Sequence, residues 1–578
     1  MTQKEKNTAQ ENVSLIRLDQ MYESLRYNDY SAENGLGEIV DNSVEAKAAN
    51  IWVEITSDKV KTPGKKKPTN QIVEISVTDD GYGMDQDTLN RCLALGESLR
   101  TNQKGTRGIG RFGVGMTLGG ISLARRIEVY SRVDGADNFL YTYIDLDDIQ
   151  KGNLLYIPTP VAQDPPTVLA NKLKNSSGTI VILKHCDRVE GDMEGFANYL
   201  GRTYRKFIER SLKIFLNDQQ VYLHDPLYMA GPTKFDVESM ESAGLMEPKA
   251  ELLDEWTIPL EIPNTSSQMA EVCVRVSLLP KEWRSFAGAG GSSEAKKRKI
   301  PQNEGVSILR ADREVLYGKV PFITGVRGEA KAQDIDRWWG CEISFPPELD
   351  DYFQVRYIKR GAEPVLAVRD KIREGLQPTL KTVRDKIKRE WNTEKGKKNA
   401  NDGSFQQAEN AMASADAKLP KKKKSVKSSE VEDEAKLDKL ANAALGAEKD
   451  NPEKREKKKE EIRKKPYYVA TVDYPQSILF ETEQLRDNIT IKLNVNHPFY
   501  KKILQPLCGD INDNCSEEDV AVGQQKRDIK NAILLLLFSY ARAEAMFDDQ
   551  ETLFANLKSS WGTILSTALS EYSREENL

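Results

Sequence analysis

No stretch of the 578 residues reaches the roughly 18 to 20 consecutive apolar positions that a membrane span needs. The polar opening MTQKEKNTAQENVS also lacks the apolar core of a signal peptide, so a cytoplasmic protein, with a nuclear one the alternative, and no membrane partner are expected. Six cysteines (Cys92, Cys186, Cys273, Cys341, Cys508 and Cys515) form no CxxC pair, and there are only three histidines. That argues against a disulfide framework and against structural zinc. A GxxxxGK[ST] phosphate loop is absent, and no internal repeat is visible. Charge of neither sign dominates: 84 Lys and Arg against 89 Asp and Glu leave a net −5. The near-balance hides segregation, because the basic residues crowd into a few tracts.

What is present divides the chain. A length of 578 residues exceeds a single core, and residues 1–195 alternate helical and strand patterns. A helix is expected near 31–48, and strands in NIWVEI (50–55), QIVEISVTDD (71–80), RRIEVYSRV (125–133), NFLYTYIDL (138–146) and GTIVILKHC (178–186). Residues 196–391 form a second α/β stretch, with strands in AEVCVRVSLL (270–279), EGVSILRADREVLY (304–317) and GCEISF (340–345) and a basic helix at 364–391. Residues 392–466 are charged and poor in apolar anchors, which predicts a linker with transient helix. Residues 467–578 read as a small α+β domain with two apolar helices, near 530–547 and 551–572.

Four short motifs carry chemistry. In GEIVDNSVEA (37–46), helical spacing puts Glu38, Asp41, Asn42 and Glu45 on one face and turns Leu36, Ile39 and Val40 to a core. A solvated face explains this stripe alone, yet Gly35 and Gly37 each cost a helix about 1 kcal/mol relative to alanine. A neighbouring backbone or a ligand must therefore come close there. VTDDGYGM (77–84) ends a buried-looking strand with Asp79, followed by Gly81, Gly83 and Met84, which also suits a plain turn. GIGRFGVGMTLGG (108–120) supplies Gly108, Gly110, Gly113, Val114 and Gly115 just before a helix whose positive end favours anions. It contains GxGxxG, but the residues before it are loop-like rather than a strand, against a dinucleotide fingerprint. SSGTIVIL (176–183) opens a strand with Gly178 and Thr179.

Each motif is weak alone. Their order, Glu38-x-x-x-Asn42, Asp79-x-Gly81-x-Gly83, the glycine-rich run, then Gly178-Thr179, resembles the GHKL superfamily across about residues 12–190. That superfamily includes gyrase, the heat-shock ATPase chaperone, histidine kinases and MutL. The resemblance implies an α/β fold of α+β sandwich type: a Bergerat-type ATP-binding domain followed by a transducer-like α/β domain. It implies ATP and Mg²⁺ as cofactors. Asp79 would accept from the adenine amino group with help from Thr179, while Gly83 admits the base. Asn42 would be the metal ligand, a neutral oxygen beside waters and phosphates. Glu38, a turn away, would activate the attacking water.

Among the branches, a histidine kinase is rejected because no histidine precedes Glu38. Topoisomerase and MutL readings find no toprim-like, nucleophilic-tyrosine or endonuclease metal module. ISFPPELDDYFQVRYIKRG (343–361) resembles a segment of Microrchidia-type and related bacterial ATPases. That makes Lys359 the candidate sensor of the γ-phosphate, with Lys319 in reserve and a plain surface lysine the alternative. The expectation is a homodimeric ATP-gated clamp, acting on DNA in genome defence or a chromosome role. A protein-remodelling chaperone and a nucleotide-switched interaction subunit are the alternatives. The basic tracts at 295–299, 421–427 and 453–465 are candidate DNA contacts or simply a solvated linker. The C-terminal helices either pack their own core or dock a partner protein.

Overall fold

The computed structural model describes residues 16–27, 30–60, 69–96, 114–174, 176–265, 267–286, 288–303, 305–318, 334–354, 364–401, 403–416, 418–419, 430–445, 451–475, 477–485, 488–508, 517–547 and 550–575. Two compact units result: residues 1–280 with 290–381, and residues 281–289 with 382–578.

The first unit begins with α1 (Leu18–Arg26), α2 (Ala32–Glu45), β1 (Asn50–Val60), β2 (Thr69–Asp79), α3 (Gln86–Arg91), α4 (Gly115–Leu123), β3 (Ala124–Arg132) and β4 (Leu140–Asp145). It continues through α5 (Leu146–Gln150), β5 (Val161–Ala162), α6 (Thr167–Ala170), β6 (Gly178–Cys186), α7 (Met193–Thr203), α8 (Arg205–Glu209), β7 (Lys213–Leu216) and β8 (Gln219–Gln220). The strands form one mixed sheet in the order β5-β4-β3-β6-β2-β1-β7-β8, antiparallel apart from the parallel β1–β7 pair. The sheet thus continues past residue 195, the boundary expected for the first domain; β7 joins because Lys213–Leu216 pairs in register with Asn50–Val53.

Alternation along β6 shows how the sheet is covered. Val181 and Leu183 face the main core with Leu36, Ile39 and Val40 of α2, whereas Ile180 and Ile182 join a smaller cluster with Tyr130, Tyr141, Leu169 and Leu173. Helix α2 starts at Ser31, whose hydroxyl accepts from the Asn34 N–H at 3.3 Å. Its glycines are explained by side chains packed tightly on the helix backbone. A methyl at Gly35 would sit 3.0 Å from Ser122 and Leu123 of α4, and one at Gly37 would overlap the Tyr199 hydroxyl.

A second sheet, β12-β11-β13-β10-β9, is built from β9 (Glu251–Glu261), β10 (Met269–Leu278), β11 (Val306–Arg310), β12 (Arg313–Gly318) and β13 (Trp339–Phe345). The single strand read over 304–317 is a hairpin. Ala311 and Asp312 both take positive φ, 49° and 67°, the geometry of a two-residue turn with no glycine to announce it. Arg205 of α8, buried to 1%, reaches into this sheet and pairs with Glu314 and Glu342 at 2.8 Å each, while bonding Ser307 at 2.6 Å.

The second unit holds β14 (Tyr467–Val472), β15 (Phe480–Leu485) and β16 (Asn488–Asn494) in the order β14-β16-β15. Helices Gln406–Asp416 and Glu517–Glu544 bury Ala408, Met412, Leu534 and Phe538 against Tyr467 and Val469. Helices Glu430–Leu445 and Pro452–Lys464 bury Leu437, Leu440 and Ile462 against Tyr468 and Ala470. Residues 392–466, expected as a charged linker, therefore carry helices. Few apolar residues suffice because they fall at helical spacing and meet opposite faces of one strand.

Candidate functional site

The two candidate ends of the site share helix α2. Glu38 and Asp41, 4% and 2% exposed, are buried rather than wet, while Asn42 is exposed. Asn42 Nδ2 donates to the Glu38 carbonyl at 3.1 Å, so the two residues stand one turn apart as the spacing predicted. That bond leaves the neutral amide oxygen, a hard donor suited to Mg²⁺, as the other end of an exposed side chain. Among the described residues, no group of three or more His, Cys, Asp and Glu side chains is arranged to hold a metal ion.

Asp79 closes β2 opposite Thr179 of β6. Its carboxylate accepts from Ser43 Oγ at 2.9 Å and from the Gly81 N–H at 3.0 Å. Burial pushes its pKa up to about 6, against the opposing pull of those two donors. The neighbouring Asp80 is committed elsewhere: it takes the Ala49 and Asn50 N–H groups at 2.8 Å each and the Asn50 amide at 2.7 Å.

The glycines that follow have separate reasons. At Gly81 a methyl would lie 2.7 Å from the Ala46 carbonyl oxygen; Gly83 has φ +71° and lies so near Arg132 that a methyl would overlap its carbonyl oxygen. Met84 N–H donates to Ser131 Oγ at 2.8 Å, and that hydroxyl lies 2.9 Å from Thr179 Oγ1. Two serines that motif spacing did not flag thus take part: Ser43 holds Asp79, and Ser131 joins Met84 to Thr179. Strand register would have found Ser131, which pairs with Thr179 across β3 and β6.

The Glu38 end is defined by α4. A methyl at Gly115 would fall within the van der Waals envelope of Glu38 Oε2, and one at Gly119 would come 3.0 Å from Glu38 Cβ. The Tyr30 phenol also lies against Glu38; burial, then the Glu38 charge, pushes its pKa upward. Val114, the residue before α4, has no polar side chain and caps none of that helix's first N–H groups. Gly108, Gly110, Gly113, Lys319 and Lys359 lie outside the described residues.

Residues 30–179 match the family model described as histidine kinase-, DNA gyrase B-, and HSP90-like ATPase. The matched segment runs from just before α2 to Thr179 and so contains every motif residue named above except Lys359 and Lys319. It supports the GHKL superfamily for this domain, and with it ATP binding and hydrolysis; ATPases of this type generally work with Mg²⁺. No curated protein matches the chain.

A cavity of about 550 Å³ beside the start of α2 is lined by Asn34, Asn198, Tyr199, Arg202, Arg313 and Tyr317 among others. Asp79 does not line it. The described basic tracts are largely matched by acids. Lys299 pairs with Glu194 at 2.9 Å, Lys459 with Asp438 at 2.9 Å and Lys465 with Glu409 at 2.9 Å. The tract at 421–427 lies outside the described residues. No helix among the described residues is long and apolar enough to cross a membrane.

Proposed function

We propose that the chain is a Mg²⁺-dependent ATPase that works as an ATP-gated dimeric clamp, with duplex DNA as its partner. Asp79 reads the adenine amino group, Asn42 holds the metal, and Glu38 orients and deprotonates the attacking water. The observation that carries this reading is the double role of α2. Its Ser43 hydroxyl holds the Asp79 carboxylate, and Glu38, five positions earlier, is seated against Gly115 at the start of α4. One rigid element thereby spaces a base-reading acid from a water-activating acid. Binding alone needs no second buried carboxylate there.

The clamp and its DNA partner rest on the resemblance to Microrchidia-type ATPases. The lysines at 299, 459 and 465 lend DNA binding little weight, because they are matched by acids of the same chain.

The test is ATP hydrolysis measured against protein concentration, with and without duplex DNA, on the parent chain and on Glu38→Gln. A rate per chain that rises with concentration and with DNA is expected, together with a loss of about 10²-fold or more in Glu38→Gln at unchanged ATP affinity. Turnover that survives in Glu38→Gln would remove the assignment of the base. A response to unfolded client protein rather than DNA would favour the chaperone reading.

A further inference from the structure

The buried acid Asp41, three positions after Glu38, has no part in the reading above, and its partners come from far along the chain. Its Oδ1 accepts from the Tyr204 hydroxyl at 2.7 Å and from Arg313 Nε at 2.9 Å. Tyr204 also lies 2.8 Å from the Gly37 carbonyl oxygen, sharing its single proton between the two acceptors. The residues on either side of Glu38, one just before it and one a turn after, are therefore held by one phenol.

Arg313 opens β12, in the second sheet. Its Nη1 donates to the Glu314 carbonyl at 3.0 Å and its Nη2 to the Tyr199 hydroxyl at 3.4 Å. Each guanidinium nitrogen thus has a protein acceptor, and the group is 3% exposed. Burial would lower the Arg313 pKa, but Asp41, Tyr199 and Tyr204 outweigh it, so the cation is fixed. Tyr199 in turn is the ring that packs on Gly37. The hairpin bearing Arg313 is anchored from the other direction, by Arg205 on Glu314.

We infer that Arg313 is a positioning residue for hydrolysis: through Asp41 it sets the rotation of the α2 face that carries Glu38, and so ties turnover to the seat of the second sheet. This rests on Glu38 acting on water. The Arg313 charge also acts on Glu38, whereas the Asp79 carboxylate is held by Ser43 and Gly81. Loss of Arg313 should therefore change turnover and spare nucleotide binding.

The experiment uses the full chain and the variants Asp41→Asn, Arg313→Lys, the double variant and Glu38→Gln. Asp41→Asn is nearly isosteric and keeps an acceptor for Tyr204, so it reports on function even where Arg313 variants fold poorly. Expected are falls in kcat of about tenfold or more for each single variant, with ATP affinity and a binding stoichiometry of one per chain preserved. The double variant should lose no more than the worse single, because both changes break one link. A purely structural role would appear as substoichiometric binding instead. Unchanged kcat in Asp41→Asn, or fully additive losses, would overturn the positioning role while an inactive Glu38→Gln left the base assignment standing. An active Glu38→Gln would instead sink the functional reading itself.

Discussion

The strand end that holds Asp79 and the helix face that holds Glu38 are built on different plans. Every partner of Asp79 described here, Ser43, Gly81 and Thr179, comes from residues 43–179 and from one sheet with its covering helix. The Glu38 face draws on Tyr204 and on Arg313, which is 272 positions from Asp41. On the proposed reading, a base pocket built from one sheet and its covering helix would work whatever the second sheet does, whereas a Glu38 face held by Arg313 would depend on that sheet. Recognition would then be local and turnover shared between the two sheets.

The largest effect that would sharpen this contrast is expected from Gly115→Ala. The added methyl meets the far end of a flexible side chain, Glu38 Oε2, so the fold survives and the carboxylate moves. A displacement of about 1 Å at a reacting group can cost on the order of 10²-fold in rate. We expect kcat to fall by about that much with ATP affinity retained, measured by steady-state hydrolysis beside calorimetric titration. Loss of binding instead would make Gly115 a phosphate contact first and a seat for Glu38 second. Asp79→Asn should do the opposite. It exchanges an ionised acceptor for a neutral one, worth about 1.5–3 kcal/mol in a hydrogen bond, or roughly 10- to 150-fold in ATP affinity. An unaffected Kd would erase the distinction between the two ends.

How much of this was legible follows the same division. The base end was readable because its parts are sequence neighbours: an aspartate at a strand end, two glycines beyond it, and a threonine whose register places it opposite. The face of α2 was readable as a stripe, but not its burial. Helical periodicity places Asp41 beside Glu38 without saying that an arginine from another sheet will cover it. The sequence LRADREV offers no glycine at its turn, so β11 and β12 read as one strand, and Arg313 had no visible reason to point anywhere. Likewise Leu437, Leu440 and Ile462 are too sparse to predict a core by composition. They order because Tyr468 and Ala470 present the other half of it.

The smallest predicted effect is a pH dependence confined to the base end. Burial raises the folded-state pKa of Asp79 to about 6 from an ordinary value of 3.8. The sign follows directly: the folded state holds this proton more tightly than the unfolded one, so the protonated acid's contribution to stability is complete below about pH 4 and is lost as pH rises through about 6. At neutral pH the ionised group thus works against the empty protein, and a ligand's amino group facing it offsets that cost. If Asp79 reads adenine as proposed, it does so as the ionised form, so ATP affinity should weaken by about tenfold between pH 7 and pH 5, as the ionised fraction falls to about a tenth. In Asp79→Asn this slope should vanish, and the empty variant should melt no lower than the parent at pH 7.5. Calorimetric titration across that range checks the first expectation and thermal melting the second. A slope that persists in Asp79→Asn would place the titrating group elsewhere, and a variant that melts well below the parent would mean that Ser43 and Gly81 need the charge as well as the oxygen.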